Sequence, residues 1–154
     1  MVNLLEAVFP GLANSGYSIS SPKNRDYNCI AWAASDPSNL WWPGPNVEDE
    51  FWPVSVPREV TLAAFLAAFA TLGYEVCAGE DLEPGFERIA VFANAQGKPT
   101  HGARQLPGGR WTSKLGEGED IEHALRALEG TLYESVVLIM KRPARVEGER
   151  SPST

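Results

Sequence analysis

The sequence has few cysteines, few histidines and no long apolar run. Of its 154 residues, two are cysteine and two are histidine, so at most one intramolecular disulfide can form. No apolar run approaches the roughly 18–20 residues that a transmembrane helix needs, and the first residues lack the basic and apolar segments of a signal peptide. The patterns CxxC, HExxH, GxGxxG and the Walker loop are absent. We therefore expect a cytoplasmic protein with free thiols, no membrane partner, no metal and no organic cofactor.

The sequence is also short of positive charge. Thirteen Lys and Arg residues stand against twenty Asp and Glu, giving a formal net charge of −7. A field of this sign repels phosphate backbones, so nucleic acid is not expected as a partner. The length and the 44% content of hydrophobic residues predict one domain with a sizeable core. We place this domain at residues 1–142 and expect the polar tail at 143–154 to be disordered. The sequence does not indicate the oligomeric state.

The pattern of apolar residues predicts an α+β fold, in which helices pack on an antiparallel sheet of about five strands. Helices are predicted at 29–34, 61–72 and 120–130, and strands at 74–77, 88–93, 99–106, 110–115 and 135–140. Residues 10–27 are rich in Gly, Ser, Asn and Pro, so we expect them to be irregular.

Cys29 is the first candidate for chemistry. It follows Asn28, a good N-cap, and begins an apolar run, so the pattern predicts that Cys29 opens a helix. The unpaired N–H groups there carry roughly half a positive charge, which lowers a thiol pKa and stabilises an oxyanion. The alternative is that Cys29 is a small buried hydrophobic residue at a helix start.

His101 is the second candidate, because it lies in a predicted strand among small residues that leave room for the imidazole. A cysteine at a helix start and a histidine on a later strand form the arrangement of thiol nucleophiles, in which the imidazole is the base. A turn at 107–108 makes Ser113 a cross-strand neighbour that can orient the ring. Asp120 is the competitor for this role and is also the predicted N-cap of the last helix. The sequence leaves the choice open.

The motif Asn-Cys-Ile-Ala-Trp-Ala resembles the nucleophile helix of papain-like cysteine peptidases and amidases, and the later strand histidine resembles their base. The chain is also similar to a group of uncharacterised bacterial proteins, with the motifs Asn-Cys-Ile-Ala-Trp-Ala, Thr-His-x-Ala-Arg-Gln, Trp-Thr-Ser-Lys-Leu-Gly and Asp-Ile-Glu-His. The papain-like resemblance implies a papain-like fold and hydrolysis through Cys29 and His101. The chain departs from papain in having no glutamine shortly before the cysteine to stabilise the oxyanion. That role falls to Asn24 or to the Cys29 N–H.

Together these residues predict a cysteine hydrolase, which is a peptidase, an amidase or a deamidase acting on a peptide, protein or other amide. Its catalytic residues are Cys29, His101 and Ser113. The candidate substrate-binding residues are Trp42, Gln105 and Trp111, although tryptophans also complete cores or fix loops.

Two other classes of function are compatible with the same residues. The first is a non-catalytic binding module or an inactive papain-like relative, which recognises a partner through the Trp- and Pro-rich loop at 37–57. The second is a structural zinc site formed by Cys29, Cys77, His101 and His123, although these four residues lack the close-paired spacing of common zinc sites.

Overall fold

The computed structural model describes residues 4–21, 26–115, 119–130 and 132–144. The helices in these ranges are short: α1 (Leu4–Val8), α2 (Gly11–Ser15), α3 (Cys29–Ala33), α4 (Leu62–Ala70) and a 3-10 helix (Leu125–Leu128). The strands are β1 (Tyr17–Ser21), β2 (Glu75–Cys77), β3 (Phe86–Ala93), β4 (Pro99–Gln105), β5 (Trp111–Lys114), β6 (Asp120–His123) and β7 (Ser135–Pro143).

In the described part of the chain, these seven strands form one antiparallel sheet in the order β1-β6-β5-β4-β3-β7-β2. Strand β3 is central, and its apolar run 89–93 is buried on both faces, which is typical of a strand covered on each side. Alternate residues of β3 therefore enter two separate cores: Ile89 and Val91 join one, and Ala90 and Phe92 join the other.

Helices α3 and α4 cover the first face of the sheet. Their apolar residues, including Ile30 and Phe65, pack on Ile89, Val91 and Met140 in the first core. The second face is covered by α2, the 3-10 helix and Tyr133, and its core includes Leu12, Phe92, Trp111, Ile121, Leu128 and Tyr133. The candidate residues of β4 and β5 thus lie between two packed layers.

The expected architecture of a papain-like fold with N-terminal helices on about five strands is wrong. The chain forms a larger, seven-stranded antiparallel sheet with few short helices. The difference arises at the N-terminal side, where residues expected to be irregular form α2 and the edge strand β1. Strand β1 contains three serines and is mostly exposed, so it carries no apolar alternation that the sequence could reveal.

The predicted helix over 120–130 is also wrong. Residues Asp120–His123 form β6, which pairs with β5 and with β1, and only Leu125–Leu128 make a short 3-10 helix. Ile121 and His123 point into the second core while Glu122 is half-buried, so this segment follows the period of a strand. Ile121, Leu125 and Leu128 also fit the period of a helix, which explains the error.

The helices predicted at 29–34 and 61–72, the strands predicted at 74–77, 88–93 and 135–140, and the hairpin of β4 and β5 are confirmed, with bounds that differ by up to three residues at their ends. The tail expected from residue 143 falls mostly outside the described residues, and its first residue closes β7.

Candidate active site

Cys29 is the first residue of α3, as the sequence predicts. Asn28 has an extended backbone, and its Oδ1 accepts a hydrogen bond of 3.0 Å from the N–H of Ala31. The same side chain bonds both backbone groups of Trp41, at 2.7 Å and 3.1 Å. Asn28 therefore caps α3 and fastens its start to the aromatic loop, which fixes the place of the cysteine.

The electrostatics of Cys29 differ from the expectation. The residue is half-buried, and burial raises the pKa of its thiol to about 11, although the N–H groups of Gly102, Ile30 and Cys29 itself and the charge of Lys114 act to lower it. The expected fall of the pKa at the helix start is therefore wrong. Cys29 is a neutral thiol at pH 7, surrounded by donors that stabilise its anion.

His101 is fully buried on the other face of β4. Its ring is stacked on Tyr133, with centroids 3.9 Å apart and planes at 8°, and it meets Phe92 edge-on at 5.2 Å. The next residue, Gly102, faces α3, because a Cβ there would lie 3.1 Å from Ile30 and 3.3 Å from Ala33. The imidazole and α3 are thus separated by the strand itself.

The sulfur nevertheless lies close to this strand. The Gly102 N–H that stabilises the Cys29 thiolate belongs to the peptide that joins Gly102 to His101. Burial raises the pKa of Tyr133, and the Cys29 thiolate raises it further, so the sulfur acts on the ring that is stacked on His101. The sulfur thus lies close to the backbone of β4 at Gly102, while the imidazole lies on the opposite face of the strand. No hydrogen bond joins them, since among the described residues His101 Nδ1 has no partner.

A directional chain of hydrogen bonds fixes the tautomer of His101. His123 Nδ1 lies 2.7 Å from the carbonyl oxygen of Ala124, and because a carbonyl only accepts, Nδ1 carries the proton. The neutral ring then accepts at Nε2 from the Ser113 hydroxyl, 2.7 Å away. Ser113 Oγ in turn accepts from His101 Nε2–H at 2.9 Å. The chain leaves His101 Nδ1 as a bare lone pair, buried and without a partner in the described ranges.

Both imidazoles are neutral at pH 7. Burial lowers the pKa of His123 to about 4, a fall that the hydrogen bond to Ala124 partly opposes. Burial, followed by the proximity of His123, holds the pKa of His101 well below 6.5. These shifts agree with the proton positions assigned above, since a charged ring would donate from both nitrogens.

The sequence indicates His123 only as a candidate ligand of a structural zinc site and not as part of a network with His101. In the structure it is fully buried on β6 and shares Ser113 with His101. The alternation of Ile121, Glu122 and His123 is the signal that could have found it, because strand period brings His123 to the face that Ser113 occupies.

Of the two residues considered for orienting His101, Ser113 makes the hydrogen bond and Asp120 does not. Asp120 lies beneath α3, where its Oδ2 accepts hydrogen bonds from Tyr27, at 2.5 Å, and from Ser21. The neighbouring Lys114 is also fully buried and lies 5.3 Å from the ring centre of Tyr27.

The three expected substrate-binding residues do not meet at Cys29. Trp42 is half-buried and packs edge-on against Phe65, on the first face of the sheet. Gln105 and Trp111 are paired across β4 and β5, at the hairpin end, where both line a small cavity of about 260 Å³.

The Trp- and Pro-rich loop contributes mainly to the core. Trp41 and Trp52 are buried in the first core, each with about 4% of its surface exposed. Their indole N–H groups donate to Asp36 and to the carbonyl of Pro57. These tryptophans therefore fix the loop in place, and the larger exposed residues of the loop are Val47, Phe51 and Val54.

The described residues contain no group of three or more His, Cys, Asp or Glu side chains able to hold a metal ion together. Cys77 lies on the edge strand β2, while the two histidines meet at Ser113. None of the described helices has the length and apolarity needed to cross a bilayer. Asn24, the other candidate for stabilising an oxyanion, lies outside the described residues.

The close approach of α3 to β4 depends on Gly102, which gives a first prediction. Gly102→Val places methyl groups against Ile30 and Ala33, so we expect a loss of about 1–3 kcal/mol in the free energy of unfolding and a more accessible Cys29. Urea unfolding and the rate of disulfide exchange at Cys29 measure both effects. Gly79→Val is the control, because nothing lies within 4 Å of its Cβ position. Unchanged stability and thiol reactivity in Gly102→Val would contradict this packing.

The fold and the site define a seven-stranded antiparallel protein with a buried His–Ser–His network beside a cysteine at a helix start. Residues 18–141, from β1 into β7, match a family described as "Domain of unknown function (DUF7689)", and the chain belongs to that family. Comparison with curated proteins and with solved structures finds no match.

Proposed function

We propose that the protein is a cysteine hydrolase that transfers an acyl group from an amide or ester to Cys29 and then to water. The observation that carries this proposal is the lone pair of His101 Nδ1. Ser113 and His123 hold the tautomer of His101, and its Nδ1 has no partner in the described ranges. The Gly102 N–H that stabilises the Cys29 thiolate belongs to the peptide that follows His101. Nucleophilic catalysis requires a base within hydrogen-bond reach of the thiol, and an oriented imidazole with an unsatisfied lone pair can serve as that base once the two groups meet.

In the proposed reaction, the Cys29 sulfur attacks the substrate carbonyl as its proton passes to His101 Nδ1. The N–H groups of Gly102, Ile30 and Cys29, which favour the thiolate, stabilise negative charge in the transition state. His101 then returns the proton to the leaving nitrogen or oxygen. Water attacks the resulting thioester with the same ring as base, releasing the carboxylic acid and restoring the thiol.

The resting pair in this proposal is a neutral thiol and a neutral imidazole, because burial disfavours the charged form of each. In the resting structure β4 separates the imidazole from α3, so the proposal requires a local movement that brings Sγ and Nδ1 together when substrate binds. The proton then moves as the carbon–sulfur bond forms. Ser113 and His123 act as positioning residues, since they hold the proton on Nε2 and leave Nδ1 free to accept.

The proposed substrates are peptides, proteins or other amides, with neutral or basic groups near the scissile bond favoured by the net charge of −7. We also propose a cytoplasmic location, where the two free cysteines stay reduced.

Hydrolysis of p-nitrophenyl acetate tests this function, because an activated ester needs little recognition. We expect the wild type and Cys77→Ala to release p-nitrophenolate at equal rates, and Cys29→Ala to fall to the rate of the buffer. Retention of the wild-type rate in Cys29→Ala would contradict the role of Cys29. A wild type that cleaves neither this ester nor a set of peptide amides would instead favour a binding module.

A further inference from the structure

A cavity of about 670 Å³ opens at the end of α3 opposite to Cys29. It lies between the last residues of α3, the segment 82–87, the end of β4 and the end of β7. Its apolar wall includes Leu72, Leu82, Phe86 and Leu106, and Leu82 leaves 47% of its surface exposed. The size and the mixture of apolar walls with a few polar groups are those of a small-molecule site.

The cavity is lined by two carboxylates and two arginines. The carboxylates are already paired: Glu83 with Arg88 and Lys141, at 2.8 Å and 3.0 Å, and Glu87 with Arg142 at 3.0 Å. Among the described residues, no carboxylate lies within ion-pairing distance of Arg104, the other lining arginine. Arg104 is therefore the charge of the lining that an anion would neutralise.

The Arg104 side chain is held in place while its terminal nitrogens remain available. Its Nε donates to the carbonyl of Trp32 at 3.2 Å, and the guanidinium lies 5.2 Å from the centre of the Trp32 ring. Within the described ranges, the two terminal nitrogens make no hydrogen bond. A guanidinium fixed at Nε with two free N–H₂ groups matches the geometry of a carboxylate.

We propose that this cavity binds an apolar carboxylate, such as that of an N-acyl amino acid. The carboxylate pairs with Arg104, and the apolar side chain packs on Leu82, Phe86 and Leu106. A peptide ending in an apolar residue presents the same groups. The site is separate from Cys29, so this inference stands whether or not the protein is a hydrolase.

Calorimetric titration with N-acetyl-L-leucine tests the proposal. We expect binding to weaken at least tenfold for N-acetyl-L-leucinamide, which lacks the carboxylate. A pentapeptide ending in leucine distinguishes the two sources of this chemistry, since tighter binding of the peptide indicates a peptide C-terminus and weaker binding indicates a small molecule. Equal binding of the acid and the amide would overturn the proposal.

Two variants locate the site. Arg104→Gln removes the charge and is expected to weaken binding of N-acetyl-L-leucine at least tenfold, whereas the exposed Lys98→Gln changes the net charge equally and should bind like the wild type. Leu82→Glu adds a carboxylate at an exposed lining position and is expected to weaken binding even if Arg104→Gln folds poorly. Wild-type affinity in Leu82→Glu, or in a folded Arg104→Gln, would contradict this placement.

Discussion

The free energy of unfolding is expected to fall by about 2 kcal/mol between pH 7 and pH 5, and by about 3 kcal/mol at pH 4, from His123 alone. The pKa of His123 is about 4 in the folded protein and 6.5 as an ordinary histidine. Between these values the unfolded chain binds a proton that the folded chain does not, so stability is complete above pH 6.5 and is lost as the pH falls. His101 has a lowered pKa and acts in the same direction.

Urea unfolding at pH 7 and pH 5 measures this loss while most carboxylates remain ionised. The matched control is the double variant His101→Gln and His123→Gln, in which the two buried groups no longer titrate. We expect its stability to change much less between the two pH values, although its stability at pH 7 is lower. Equal pH dependence in the wild type and the double variant would show that these histidines are not buried as neutral groups.

His101→Gln is expected to slow acyl transfer by about 100-fold or more, because the base that accepts the thiol proton is removed. Ser113→Ala is expected to lower kcat with little change in KM. The variant loses the hydroxyl that holds the proton on His101 Nε2, but it keeps the imidazole that acts as the base. Steady-state hydrolysis of p-nitrophenyl acetate measures both effects, and unfolding curves at pH 7 establish that each variant is folded.

A small base offers an independent readout of the role of His101. In His101→Gly, added imidazole is expected to restore part of the lost rate, whereas in Cys29→Ala it should have no effect. A folded His101→Gln that retains the wild-type rate would contradict the assignment of the base, and a Ser113→Ala variant with unchanged kcat would remove the positioning role of the network.

The start of α3 could be predicted because its signal is local. Asn28 and the apolar residues after it are adjacent in the sequence, and the N-cap hydrogen bond to Ala31 spans three residues. The hairpin of β4 and β5 is also local. Its turn can be located in the sequence, and the turn predicts that Ser113 lies within reach of His101. Short-range signals of this kind do not depend on the rest of the fold.

The larger errors concern contacts between remote segments. Strand β1 pairs with β6 across about a hundred residues of sequence. Because β1 is mostly exposed and β6 is only four residues long, their apolar patterns are too short to predict this pairing. Because the sequence predicts a helix where β6 lies, it does not bring His123 to Ser113, and the network around Ser113 is not predicted. The raised pKa of Cys29 has the same origin, because burial depends on neighbours that lie far along the chain.

The most direct test of the proposed chemistry is to trap the acyl group. The protein is mixed with p-nitrophenyl acetate, quenched in acid and digested, and the acetylated peptides are identified by mass spectrometry in the wild type, Cys77→Ser and His101→Gln. We predict an acetyl group on Cys29 in the wild type and in Cys77→Ser, and its near absence at short times in a folded His101→Gln. Acetylation confined to Cys77 or to lysines, or equal acetylation of Cys29 with and without His101, would contradict the pairing of this cysteine with this histidine.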